Sequence, residues 1–142
     1  MKNFKLIKNL CYSGLIPFYF LSITNLYHYN FIIVDLFSLY SLVILSFLFG
    51  SAWFNLLITP KKKADKILLI IVILSPIFLL MNEILSNIKL KFFIYGLFYL
   101  IIFYIDKEFI QNKEYLKVRK NLTINVSITY LIFLFSIYSN SI

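Results

Sequence analysis

A single cysteine, Cys11, and a single histidine, His28, rule out an internal disulfide and leave too few sulfur and nitrogen donors for a zinc, haem-pair or iron–sulfur site within one chain. Glycine is scarce too, with three residues, and no G-x-S-x-G elbow, Walker A loop or G-x-G-x-x-G run is present. No cofactor or metal is therefore expected, and no catalytic constellation stands out. Charge is the third shortage. Charged residues make up 14% of the chain, against about 25% in soluble domains. Of the 142 residues, 61% are hydrophobic and 20% aromatic. Such a balance argues against a water-soluble fold, a disordered chain or a disulfide scaffold, and makes lipid the solvent.

A helix rising ~1.5 Å per residue needs about 20 apolar residues to cross a ~30 Å hydrocarbon core. Five runs come close to that length, at residues 10–29, 36–58, 67–85, 90–105 and 122–139. An exposed backbone in lipid is limited to helices or closed barrels, and these runs are continuous, without the period-2 alternation of a barrel. The expected fold is an all-α polytopic membrane bundle of five transmembrane helices, forming one integral membrane domain over residues 1–142. The fourth run is short, so Lys89 and Lys91 would have to snorkel at its start. Pro60, followed by Lys61, Lys62 and Lys63, should stop the second helix, whereas Pro17 and Pro76 should kink the first and third. Lys2, Lys5 and Lys8 precede the first run as in a secretory signal, but no small-residue cleavage site follows, so an uncleaved anchor is expected. An odd number of spans and the lack of a sequence repeat argue against a simple inverted-repeat transporter.

The formal net charge is +8, and its distribution carries the orientation. With five crossings, twelve of the fourteen basic residues fall on one side: the N-terminal lysines, the group at 61–66 and the group at 107–120. Only Lys89 and Lys91 fall on the other. The positive-inside rule then places the N-terminus in and the C-terminus out. Codon bias inflates the number of lysines but does not sort them by side. Spread over short juxtamembrane segments, the basic residues point to anionic lipid heads rather than nucleic acid.

Polar residues inside the runs are the candidate positions. Asp35 opens the second run and Asp106 closes the fourth, about a bilayer thickness apart, so they cannot share a proton as an aspartyl dyad. At ~100° per residue, Asn121, Asn125, Thr129, Ser136 and Ser139 fall within an arc of about 80° on the fifth helix, with Leu131, Phe133 and Phe135 mostly elsewhere. On the second helix Asp35, Ser46, Gly50 and Trp53 cluster within about 60°, and Ser46 to Gly50 has small-xxx-small spacing. Tyr95, Tyr99 and Asp106 align on the fourth. Such stripes usually mark helix–helix contact. Glu83 lies about one turn inside the end of the third run. Two readings are open for it: an interfacial carboxylate paired with Lys89 or Lys91, or a small ion or proton site shared with Asp35 and His28.

Gly14-Leu15-Ile16-Pro17-Phe18 and Ile44-Leu45-Ser46-Phe47-Leu48-Phe49-Gly50-Ser51-Ala52-Trp53 resemble the bacterial membrane family called domain of unknown function 3429, whose eukaryotic relative is the mitochondrial transmembrane protein 69. The likeness continues with Tyr104-Ile105-Asp106 and Tyr115-Leu116-Lys117-Val118-Arg119, and covers residues 11–135. The family pattern has glycines where this chain has Phe49 and Phe54, and a Trp at Glu114. The resemblance implies a bacterial inner (cytoplasmic) membrane, or alternatively a mitochondrial inner membrane, and brings no activity with it.

Arg119 is one arginine against thirteen lysines. Its planar fork suits bidentate carboxylate or phosphate contacts that an ammonium cannot imitate. It is expected to clamp the segment before the fifth helix to Asp106, Glu108 or a lipid phosphate. The reading is a small non-catalytic structural, assembly or accessory membrane component, with membrane lipids, other membrane proteins or a second copy as partners. The competing reading is a small oligomeric transporter or ion-conducting protein using the polar face of the fifth helix. Burial of that face within the chain favours the first, and a continuous polar cavity reaching Glu83 or Asp106 the second.

Overall fold

The computed structural model describes residues 4–58, 66–110 and 112–140, which form α1 (Phe4–Ser13), α2 (Ile16–Tyr27), α3 (Phe31–Ile58), α4 (Lys66–Leu85), α5 (Ile88–Phe109) and α6 (Lys113–Ser139). Among these residues there is no strand, and five helical stretches are long and apolar enough to cross a membrane, α1 and α2 together making the first. The chain is a helical membrane protein. Pro60, Lys61, Lys62 and Lys63 lie outside the described residues.

Helix starts follow capping chemistry, which hydropathy does not register. Asn30 Oδ1 accepts from Ile32 N at 3.0 Å, and α3 begins at Phe31 rather than at residue 36. Asn112 Oδ1 accepts from the backbone N–H groups of Glu114 and Tyr115 at 3.0 and 3.2 Å, so α6 begins at Lys113, nine residues ahead of its apolar run. These side chains satisfy first-turn donors that have no partner inside the helix. Arg119 consequently lies within α6, not in a loop. The fourth span is also longer than its apolar core, running from Ile88 to Phe109.

The first run is not one kinked helix. It divides at Gly14 and Leu15, and Pro17 occupies the first turn of α2, where a missing N–H sacrifices no intrahelical bond. Pro76 stays inside α4.

Contacts in the order α2–α3–α5–α6–α2 close a ring, with α4 packed on its outside against α3 and more lightly against α5. The centre of the ring is aromatic. Phe37 of α3 stacks on Phe133 of α6 at 3.9 Å between ring centroids, while Phe18 of α2 and Phe92 of α5 meet this pair edge-on at 5.5 and 5.1 Å. Each such pair contributes roughly 0.5–1.5 kcal/mol beyond its buried area. Phe133, expected on the lipid side of α6, is therefore a core residue. α6 buries a sector wider than its polar stripe, with α2 on one flank and α5 on the other.

Candidate functional site

Glu83 lies near the C-terminal end of α4, where α3 begins and where the short 86–87 turn leads into α5. Its Oε1 accepts from Lys91 Nζ at 3.0 Å, and its Oε2 accepts from Ser38 Oγ at 2.6 Å and from the Tyr95 hydroxyl. One carboxylate thus joins three helices. The turn is closed alongside it, because Ser86 Oγ donates to Asn82 Oδ1 at 2.6 Å and Asn82 Nδ2 reaches Lys91 O at 3.5 Å. The Glu83 and Lys91 side chains are 15% and 12% exposed, deep enough that the carboxylate needs these donors. Lys91, rather than Lys89, is the cation; Lys89 instead sits over the Tyr138 ring at 4.8 Å.

The other acid–base pair is at the lysine-rich end. Arg119 donates from Nε to Asp106 Oδ2 at 2.7 Å and from Nη2 to the same oxygen, joining α5 to α6. The guanidinium side chain is 10% exposed and the carboxylate 3%. Of the three partners open to Arg119, Asp106 is the one it meets. Cys11 and Tyr115 lie within electrostatic reach of the guanidinium.

Along α6 the polar stripe is a seam with the first span. Asn125 Oδ1 accepts from the Tyr19 hydroxyl at 2.7 Å, Asn25 Nδ2 donates to Ser136 Oγ at 3.0 Å, and Ser136 Oγ donates back to Asn25 O at 2.8 Å. Asn121 Nδ2 reaches the Tyr12 hydroxyl at 3.4 Å. Thr129 and Ser136 are fully buried, Asn125 is partly buried, and Ser139 is exposed beyond the seam. Polar groups in hydrocarbon bond across helices for ~0.6–2 kcal/mol each, so the seam holds α2 and α6 together.

The stripe on α3 behaves differently. Its buried face carries Val34, Phe37, Ser41, Leu45, Phe49 and Ala52, whereas Asp35 and Gly50 are exposed, Ser46 is half-buried and Trp53 is 39% exposed. Nothing within 4 Å would meet a Cβ built on Gly50. The small-xxx-small spacing therefore makes no close helix approach among the described residues. The reason lies in apolar bulk: Phe37, Leu45 and Phe49 turn α3 so that their side faces the ring. Phe49, one of the departures from the family glycines, is itself part of that core.

The trio of Asp35, Glu83 and His28 is not assembled. Asp35 and His28 are exposed, and Glu83 turns to Ser38, Lys91 and Tyr95. Among the described residues, no three His, Cys, Asp or Glu side chains gather to hold a metal ion. Ser38, Asn25 and Tyr19 were missed as partners. Ser22 and Asn25, three apart on one face of the first run and both fully buried, were the available signal. Tyr95, Tyr99 and Asp106 do share the buried face of α5. Tyr99 meets Tyr130 edge-on at 5.6 Å, and among the described residues the Tyr99 hydroxyl and Asn25 Oδ1 are buried without a hydrogen-bond partner, whereas the Tyr130 hydroxyl has the Ser41 hydroxyl beside it.

The model of a family described as protein of unknown function (DUF3429) matches residues 4–135, nearly the whole chain. The chain belongs to that family. No curated protein and no solved structure matches it.

Proposed function

We propose that this protein is a non-catalytic structural, assembly or accessory component of a bacterial inner membrane, with its N-terminus on the cytoplasmic side. The observation that carries the reading is the destination of the α6 polar face. Asn121, Asn125 and Ser136 spend their side chains on Tyr12, Tyr19 and Asn25 of the same chain. A face used up in this way supports a self-sufficient bundle, because a transport path would need those groups turned toward water or a solute. Glu83 and Asp106 likewise each have a cation of the same chain beside them. The orientation rests on the basic residues, whose greater share sits at the end bearing the start of α1 and the α5–α6 connection.

Two measurements test this reading. Affinity purification in mild detergent should recover defined membrane proteins with the chain in fixed proportion, and recovery as a lone monomer would count against an assembly role. Reconstituted vesicles should show no more proton or potassium flux than empty ones. Flux that falls on Asn125→Ala would favour the conducting alternative.

A further inference from the structure

At the lysine-rich end, the last two turns of α5 and the first turns of α6 border an open groove of about 360 Å³, lined by Phe103, Lys107, Lys113, Leu116, Lys117 and Lys120. Capping by Asn112 makes this groove, because it brings residues 113–120 into the helix. Lys113, Lys117 and Lys120 then follow at i, i+4 and i+7 on one face, opposite Lys107 in the last turn of α5. Four ammonium groups around one concavity repel each other unless an anion lies between them. Among the described residues no carboxylate lines the groove: Asp106 is engaged by Arg119, and Glu108 and Glu114, the neighbouring acids, are not among its lining residues.

The surroundings define what the anion is attached to. Phe103 and Leu116 add apolar surface to the groove beside its four lysines. The lysine face of α6 continues into the membrane as Ile124, Leu131 and Phe135, all within an arc of about 60°. These three are exposed, Leu131 and Phe135 each at 68%. The surface is therefore amphipathic in the sense of a lipid: cations at the interface, and an apolar track running inward from them.

We propose that this groove binds the headgroup of an anionic phospholipid bearing two phosphates, of the diphosphatidylglycerol class, with acyl chains lying along the Ile124–Leu131–Phe135 face. Four ammoniums match two phosphates better than one, and the apolar track selects a lipid over a soluble anion. The contact is separate from the proposed assembly role and does not depend on it.

The test uses the full chain in mild detergent, with thermal unfolding followed as each additive is titrated. Diphosphatidylglycerol should raise the melting temperature by about 4 °C or more, with phosphatidylglycerol weaker, phosphatidylcholine near zero and inorganic pyrophosphate near zero. The double variant Lys117→Gln/Lys120→Gln should lose most of the diphosphatidylglycerol shift, whereas Lys66→Gln, a lysine at the same end but outside the groove, should keep it. Equal shifts from the two anionic lipids, or the same shift from pyrophosphate, would overturn the proposal, as would an undiminished shift in the double variant. Native mass spectrometry of the wild-type chain in an equimolar lipid mixture provides a reading free of any folding defect in the variant. Preferential retention of diphosphatidylglycerol supports the site, and retention in proportion to the mixture removes it.

Discussion

Glu83 and Asp106 sit at opposite ends of the same bundle, each with a cation of the same chain beside it, yet they are neutralised differently. Glu83 receives Ser38 from α3 and Lys91 and Tyr95 from α5, while its side chain keeps 15% exposure. Asp106 receives both of its donors from one guanidinium and keeps 3%. The first arrangement distributes a charge over several hydrogen bonds within reach of the interface. The second depends on one neighbour in a drier place. Loss of one donor should therefore be tolerated at Glu83, whereas Asp106 and Arg119 stand or fall together.

The largest expected effect follows from that dependence. Asp106→Ala leaves a buried guanidinium without its counter-charge, a situation that costs about 3–5 kcal/mol. Thermal unfolding in detergent should register it as a large drop in melting temperature, together with low abundance in the membrane. The double variant Asp106→Leu/Arg119→Met should regain most of the loss, since an apolar pair leaves no buried charge behind. If the double variant is as unstable as Asp106→Ala, the pair does more than cancel itself.

Arg119→Lys comes next. A lysine presents one nitrogen where the guanidinium presents two, so about 1–3 kcal/mol should be lost. Wild-type stability and abundance in this variant would show that the fork has no role. Glu83→Gln should cost less, about 1–2 kcal/mol, because the amide still accepts from Ser38 or Tyr95 after the ion pair with Lys91 is gone. A loss equal to that of Asp106→Ala would erase the contrast between the two ends. At the bottom of the scale is Tyr99→Phe, which should lie within about 0.5 kcal/mol of wild type or above it. Among the described residues its hydroxyl is buried without a partner, so its removal forfeits no hydrogen bond. A clear destabilisation there would point to a hydrogen bond formed in the membrane.

Much of the fold was legible from local properties. The length of each apolar run located five spans, and the period of polar residues on α5 and α6 located faces that must avoid lipid. The same method failed on α3. Asp35, Ser46, Gly50 and Trp53 form as tight an arc as any, yet Phe37, Leu45 and Phe49 decide which side faces the ring. A polar stripe is informative only when no bulkier apolar stripe competes for the interior. Helix ends were missed for another reason: Asn30 and Asn112 act through a hydrogen bond to the next turn, a term that hydropathy does not contain.

Sequence alone determined that this chain lives in lipid, that it has five spans and that Glu83, Asp106 and Arg119 must find partners, because the transfer cost of backbone and charge into hydrocarbon is a property of each residue. Only the tertiary structure decided which partners those are. Lys91 rather than Lys89, Asp106 rather than Glu108, and Tyr19 and Asn25 as the other side of the α6 seam all depend on how each helix is rotated about its own axis. That rotation is set jointly by the neighbours it packs against, so it cannot be read from any one helix.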